Sequence, residues 1–165
     1  MKLLSKILLL AVFINFSSSL HANDSLMVKT ITMQLARDIA DESIKACRKL
    51  GYQVSAVVVD RNGLIQVALR DDVATRFTLQ IAEEKANSVI LSGINSGEFR
   101  KSRDDIRPEL NHMKGIIIMQ GALPIEVAGS LIGAVGVSGA PGGHLDERCA
   151  QQALDKLSER IEFSD

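Results

Sequence analysis

Gln53–Arg70 reads QVSAVVVD-RNG-LIQVALR, and this stretch decides the fold class. Val54–Val59 is an apolar, β-branched run, and Leu64–Arg70 is a second run of strand character. Asn62-Gly63 lies between them, a pair that supplies the positive φ a tight hairpin turn needs. Strands joined this closely must pair antiparallel, because a parallel pair needs a crossover of a dozen or more residues. Upstream, Thr32 is a candidate N-cap for a helix running to about Leu50. Leu35, Ala36, Ile39, Ala40, Ser43, Ile44 and Cys47 fall on one stripe at helical spacing, and Gly51 supplies the stop.

Downstream, Asp71–Thr75 reads as a loop and Phe77–Ser92 as a second helix, with Leu79, Ala82, Ala86, Val89 and Ile90 inward. Ser96–Lys114 is polar, with a short helix over Gly97–Ile106 that Pro108 ends. Three more strands are expected: Gly115–Gln120 (GIIIMQ), Leu123–Val127 (LPIEV) and Leu131–Ser138 (LIGAVGVS). A Gly-rich loop, Ser138–Gly143, leads into a last helix over about Leu145–Ile161, whose inner face carries Cys149, Ala150, Ala153, Leu154, Leu157 and Ile161. The order helix, hairpin, helix, three-strand meander, helix predicts an α+β domain: a five-stranded antiparallel sheet with helices packed on its faces.

Met1–Ala22 has the three-part layout of a secretory signal. Lys2 and Lys6 give the positive start, Ile7–Ile14 the apolar run, and Ser17-Ser18-Ser19 the polar end. The apolar run is about half of the roughly 20 residues that span a bilayer. Cleavage after Ala22 is therefore expected, leaving one domain, residues 23–165, periplasmic or secreted and not inserted in the membrane. Losing the two lysines makes the formal charge of −1 more negative, which gives no electrostatic reason to bind nucleic acid. Cys47 and Cys149 are spaced neither as a CxxC redox pair nor as a zinc knuckle. An oxidising compartment permits them to pair, but two separate buried thiols, packed as small hydrophobes, are the favoured reading of the sequence.

The Gly-rich loop is the most informative local feature. Gly142 and Gly143 let the backbone approach a ligand, and the N–H groups opening the last helix suit an anion such as a carboxylate. Asp146 and Glu147 would complement the same helix dipole and compete with that anion. His112 and His144 are the imidazoles left after cleavage, and so the ones available to a metal or to acid–base work. Met113 and Met119 could ligate haem iron, although Met119, inside an apolar run, reads as core. Arg70 with Asp71 and Asp72 forms a charged turn or the edge of a pocket. Four aromatics remain after cleavage, Tyr52, Phe77, Phe99 and Phe163, too few for a deep aromatic pocket. HExxH, CxxCH and Walker patterns are absent, and Gly136-Val137-Ser138-Gly139 lacks the last glycine of a nucleophile elbow.

Several blocks together resemble the GlcG/HbpS (haem-binding, "haem-degrading") family. They are Thr32-x-x-Leu35-Ala36-x-x-Ile39-Ala40, Val57-Val58-Val59-Asp60, Arg70-x-Asp72-x-Ala74 and Lys85-Ala86. The most specific is Gly121-x-x-Pro124-Ile125 through Gly133–Gly139 to Asp146-Glu147-x-Cys149-Ala150. Val73 and Ala122 stand where the family carries glycine, so ligand identity transfers less firmly than fold. The resemblance implies a profilin-like fold, homo-oligomers and a small-molecule ligand: haem in some members, with His144 the first-choice and His112 the second-choice metal ligand here. It carries no agreed reaction, so binding and catalysis both stay open. A small organic acid of glycolate type, held at Gly142, Gly143 and Arg70, is the alternative ligand. In a profilin-like fold the first and last helices share one sheet face, which would bring Cys47 and Cys149 near each other.

Overall fold

The structure, a computed structural model, describes residues 25–163. The signal segment and its cleavage point at Ala22 lie outside the described residues. Helix α1 spans Met33–Lys49, with the Thr32 hydroxyl accepting the Leu35 N–H at 3.3 Å as its N-cap. The stripe from Leu35 to Cys47 is buried as its spacing requires. Gly51, at φ +83°, donates its N–H to the Arg48 carbonyl and ends the helix. Strands β1 (Ser55–Asp60) and β2 (Ile65–Arg70) form the expected hairpin, closed by Asp60 Oδ1 accepting the Asn62 and Leu64 N–H groups. Helix α2 spans Phe77–Ser92 and stops at Gly93, φ +73°.

Two short helices follow, α3 (Ser96–Ser102) and α4 (Arg107–Leu110), separated by a 3₁₀ turn at Asp104–Ile106. Pro108 sits in the first turn of α4, so it opens a helix where the sequence suggested an end. Strands β3 (Ala122–Val127) and β4 (Ser130–Ser138) form a second hairpin, and α5 (Gly143–Lys156) and α6 (Ser158–Glu162) complete the chain.

The sheet has four strands, antiparallel throughout, in the order β2-β1-β4-β3. The expected fifth strand, Gly115–Gln120, does not join it. Its backbone groups are committed elsewhere: the Ile117 N–H goes to the Glu84 carbonyl of α2, and the Met119 N–H to the Ile117 carbonyl. Ile118 is buried with Phe99 and Leu110, away from the sheet. Gly115 (φ +83°) and Gly121 (φ +130°) bend the chain at both ends of the segment. Ser96 Oγ then accepts the N–H groups of Gly121 and Ala122. An apolar triple isoleucine meets the composition of a strand, but here it packs as a strap along α2.

Alternation along the strands sends Val54, Ala56, Val58, Leu123, Ile125, Val135 and Val137 to one face, under α1 and α5. There Cys47 and Cys149 are joined by a disulfide, with Cα atoms 5.3 Å apart. Val57, Val59, Ala122 and Ala134 face α2 on the other side. At Gly136 a Cβ would lie 2.0 Å from the Ala82 carbonyl oxygen, so this glycine is what lets α2 sit directly on β4. Among the described residues no helix is long and apolar enough to cross a membrane.

Candidate functional site

The strap, α2 and the α3–α4 segment enclose an open groove of about 820 Å³, within the roughly 300–1,000 Å³ usual for small-molecule sites. Its floor is the strap itself, Ile116–Met119, pinned to α2 at Glu84 and by Asn87 Nδ2, which donates to the Gly115 carbonyl at 3.0 Å. Gln80 and Glu84 form one wall, joined by a 2.9 Å hydrogen bond. Arg100, Arg107 and Lys114 stand on the rim. Arg107 is paired with Asp104 at 2.9 Å, whereas Arg100 and Lys114 have no ion-pair partner among the described residues. A basic rim of this kind suits a ligand that carries carboxylates.

Beside this groove lies a smaller cleft that shares Arg100 and Arg107 with it and reaches Gly97, Lys101 and Gln120. Gln120 connects the cleft to α5, where its Nε2 donates to Glu147 Oε1 at 3.1 Å. The other Glu147 oxygen is buried and accepts no hydrogen bond. Behind Gln120, the Lys85 ammonium donates to Asp146 Oδ2 at 2.8 Å and to the Val137 carbonyl at 3.0 Å. Both side chains of that pair are almost wholly buried. A Cβ at Gly121 would lie 2.7 Å from the Lys85 nitrogen, so only glycine fits over the pair. Burial pushes the Asp146 carboxyl above its ordinary value, while the Lys85 charge and the Ala140 N–H pull it back.

The residues singled out from sequence fall into separate places. Gly142 is the N-cap of α5 and Gly143 its first residue, where a Cβ would meet the Gln120 carbonyl at 2.4 Å. The His144 ring, exposed, lies against Gly142. The carboxylate of Asp146 accepts the Ala140 N–H, so one of the loop's own N–H donors is already used internally. Arg70 braces its own turn, donating to the carbonyls of Asp71, Asp72 and Ala74. It shares a sheet end with Ser138 but lies two strands away, roughly 10 Å across the ladder. His112 is exposed in the turn after α4, between two groove-lining residues, Asn111 and Met113. No group of three or more His, Cys, Asp or Glu is placed to hold a metal among the described residues.

Met119 is not core: it is 42% exposed and lines the groove opposite Met113 in sequence, across the Lys114-Gly115 turn. The Lys85–Asp146 pair went unassigned in the sequence, although a signal was there. Lys85 lies on the inner stripe of α2, between Ala82 and Val89, where a charge needs a buried partner. Gln120, Arg100 and Arg107 carried no such signal.

The sequence-family model described as "Haem degrading protein HbpS-like" matches residues 31–155. A 15.0 kDa protein of Citrobacter freundii, from the dhaT-dhaS intergenic region, is 30% identical over 144 residues, which cover 83% of this chain and 99% of that one. Protein GlcG of Escherichia coli K12 is 26% identical over 108 residues, 66% of this chain and 81% of GlcG. The crystal structure of a double mutant of Streptomyces reticuli HbpS superposes with a TM-score of 0.77 at 30% identity, covering 82% of this chain and 92% of that one.

Proposed function

We propose, from the premise that the chain belongs to the HbpS-like family, that it is an exported haem-binding protein that seats haem in the groove between α2, the strap and the α3–α4 segment. The observation that carries the reading is the lining of that groove. Ile117 and Met119 lend the floor apolar side chains, and Arg100, Arg107 and Lys114 offer cations to the two propionates. No aromatic side chain lines it, which favours an open aliphatic seat over a deep pocket. Haem bound there would supply an iron for ligand or electron chemistry. The chain's own part is to hold the carboxylates at the rim and to exclude water along the strap. The signal-like segment Met1–Ala22 and the buried disulfide, which belongs to oxidising compartments, support export.

Titration of the purified protein with haemin tests the reading. A saturable Soret band is expected, with affinity falling at least tenfold in Arg100→Glu/Arg107→Glu. A protein that gives no Soret band, or a double variant that binds as well as the wild type, would remove the groove from consideration.

A further inference from the structure

We propose that the smaller cleft beside the groove is a second binding site, for a compact polyvalent oxyanion: a di- or tricarboxylate, or a phosphate. It stands apart from the haem reading, because it needs neither an iron ligand nor an apolar seat. The cleft measures about 390 Å³ and is lined by Gly97, Arg100, Lys101, Asp104, Arg107 and Gln120. Its one carboxylate, Asp104, is spent on Arg107, whose Nη1 it holds at 2.9 Å. Arg100 and Lys101 have no ion-pair partner among the described residues. The whole chain carries a formal charge of −1, so this convergence of cations is local and not the edge of a generally basic surface. Two unpaired cations, with the remaining N–H groups of Arg107, call for more than one anionic oxygen.

A rigid frame separates this cleft from a scatter of surface cations. Helix α3 is docked by buried Phe99, the residue just before Arg100 and Lys101. At the start of α3, Ser96 Oγ accepts the N–H groups of Gly121 and Ala122, which ties the helix to the chain directly after Gln120. Gly97 is buried, and a Cβ there would lie 3.0 Å from Glu147 Oε2 and 3.1 Å from the Gln120 side chain. A glycine at this position therefore lets α3 lie against Gln120. The Gln120 amide is held in turn by α5, its Nε2 donating to Glu147 Oε1 at 3.1 Å. Cations and amide thus stand on segments that packing already fixes, which lowers the ordering cost of binding. Arg100 and Arg107 also line the groove, whereas Gly97, Lys101 and Gln120 line the cleft and not the groove.

The test is isothermal titration calorimetry of the disulfide-bonded protein, free of haem, with citrate, inorganic phosphate and acetate. Citrate or phosphate is expected to saturate one site, and the tighter of the two identifies the source of the charge. Acetate, with a single carboxylate, should bind about tenfold more weakly. Lys101→Glu should weaken the tighter probe about tenfold, the worth of one hydrogen bond to a charged group. Lys114→Glu makes the same change of charge in the groove and should leave that affinity nearly unchanged. Both side chains are exposed, and unaltered thermal unfolding of the two variants checks that they fold. No saturable binding of citrate or phosphate overturns the site, as does acetate binding as tightly as either. Equal losses in Lys101→Glu and Lys114→Glu overturn its placement in the cleft. None of these outcomes involves a Soret band, so the haem reading stands or falls separately.

Discussion

The two faces of the sheet are built on opposite principles. Under α1 and α5 lies one cluster of twenty buried residues, rich in Ile, Leu and Val and closed by the disulfide; under α2 the described residues contribute seven, four of them alanine. Buried polarity has the reverse distribution. On the α1 face Ser43 returns its hydroxyl to the Ile39 carbonyl of its own helix. On the α2 side Ser55 bonds Thr78, Ser88 bonds the Lys85 carbonyl, and Lys85 reaches Asp146. Large side chains give apolar burial, about 25 cal/mol per Å², so the α1 face supplies most of the stability. Small residues under α2 give up that gain and let the helix approach closely enough to set a charge behind Gln120. The face that stabilises least is the one that builds the groove wall.

The comparison would break first at the disulfide. Its loop spans 102 residues, for which the chain-entropy model gives about 4–5 kcal/mol at most. Cys47→Ala/Cys149→Ala should therefore lose close to that amount in urea unfolding, with the haemin affinity of the folded protein unchanged. A loss below about 1 kcal/mol would mean that the α1 face does not depend on its staple.

A somewhat smaller effect is expected at the opposite face. Lys85→Met strands a buried carboxylate and should cost about 3 kcal/mol at pH 7. The cost should shrink as the pH falls, because burial already raises the Asp146 carboxyl and a protonated acid no longer needs the ammonium. Equal losses at pH 4 and pH 7, read by thermal unfolding, would show that Asp146 stays ionised without its partner.

The smallest effect sharpens the contrast through its sign. Arg48 donates to both oxygens of buried Asp71, and this hydrogen bonding holds the carboxyl below its ordinary value. A carboxyl lowered on folding adds stability above about pH 4, its unfolded value, and loses it as the pH falls through the folded value. Arg48 is half exposed, so solvent limits the contribution to about 1 kcal/mol. Asp71→Asn should flatten the acid limb of the stability curve by that amount, whereas Asp146→Asn should not. A steeper acid limb in Asp71→Asn would contradict the pairing.

Most of the fold was legible because its signals are local. The α1 stripe, the Asn62-Gly63 turn and the β3–β4 hairpin each depend on residues close in sequence. The strap was misread for the opposite reason: Ile116–Ile118 has strand composition, but its partners are the Glu84 carbonyl and the Phe99–Leu110 cluster, both remote in the chain. The groove inherits that difficulty. Arg100, Arg107 and Lys114 converge only because α3 and α4 dock through Phe99 and Leu110. A one-residue step in a turn decides whether His112 or Met113 lines the site, and periodicity does not reach that resolution. Lys85 was the exception, readable as a charge on an apolar stripe.

The bridge between Cys47 and Cys149 makes the polypeptide between them a covalent ring. The exposed turn at Asp72, Val73 and Thr75 lies within that ring. A proteolytic cut at this turn would open the ring without releasing either piece. Both halves would stay tethered beneath α1 and α5, and the nicked molecule could keep the groove it was folded to hold.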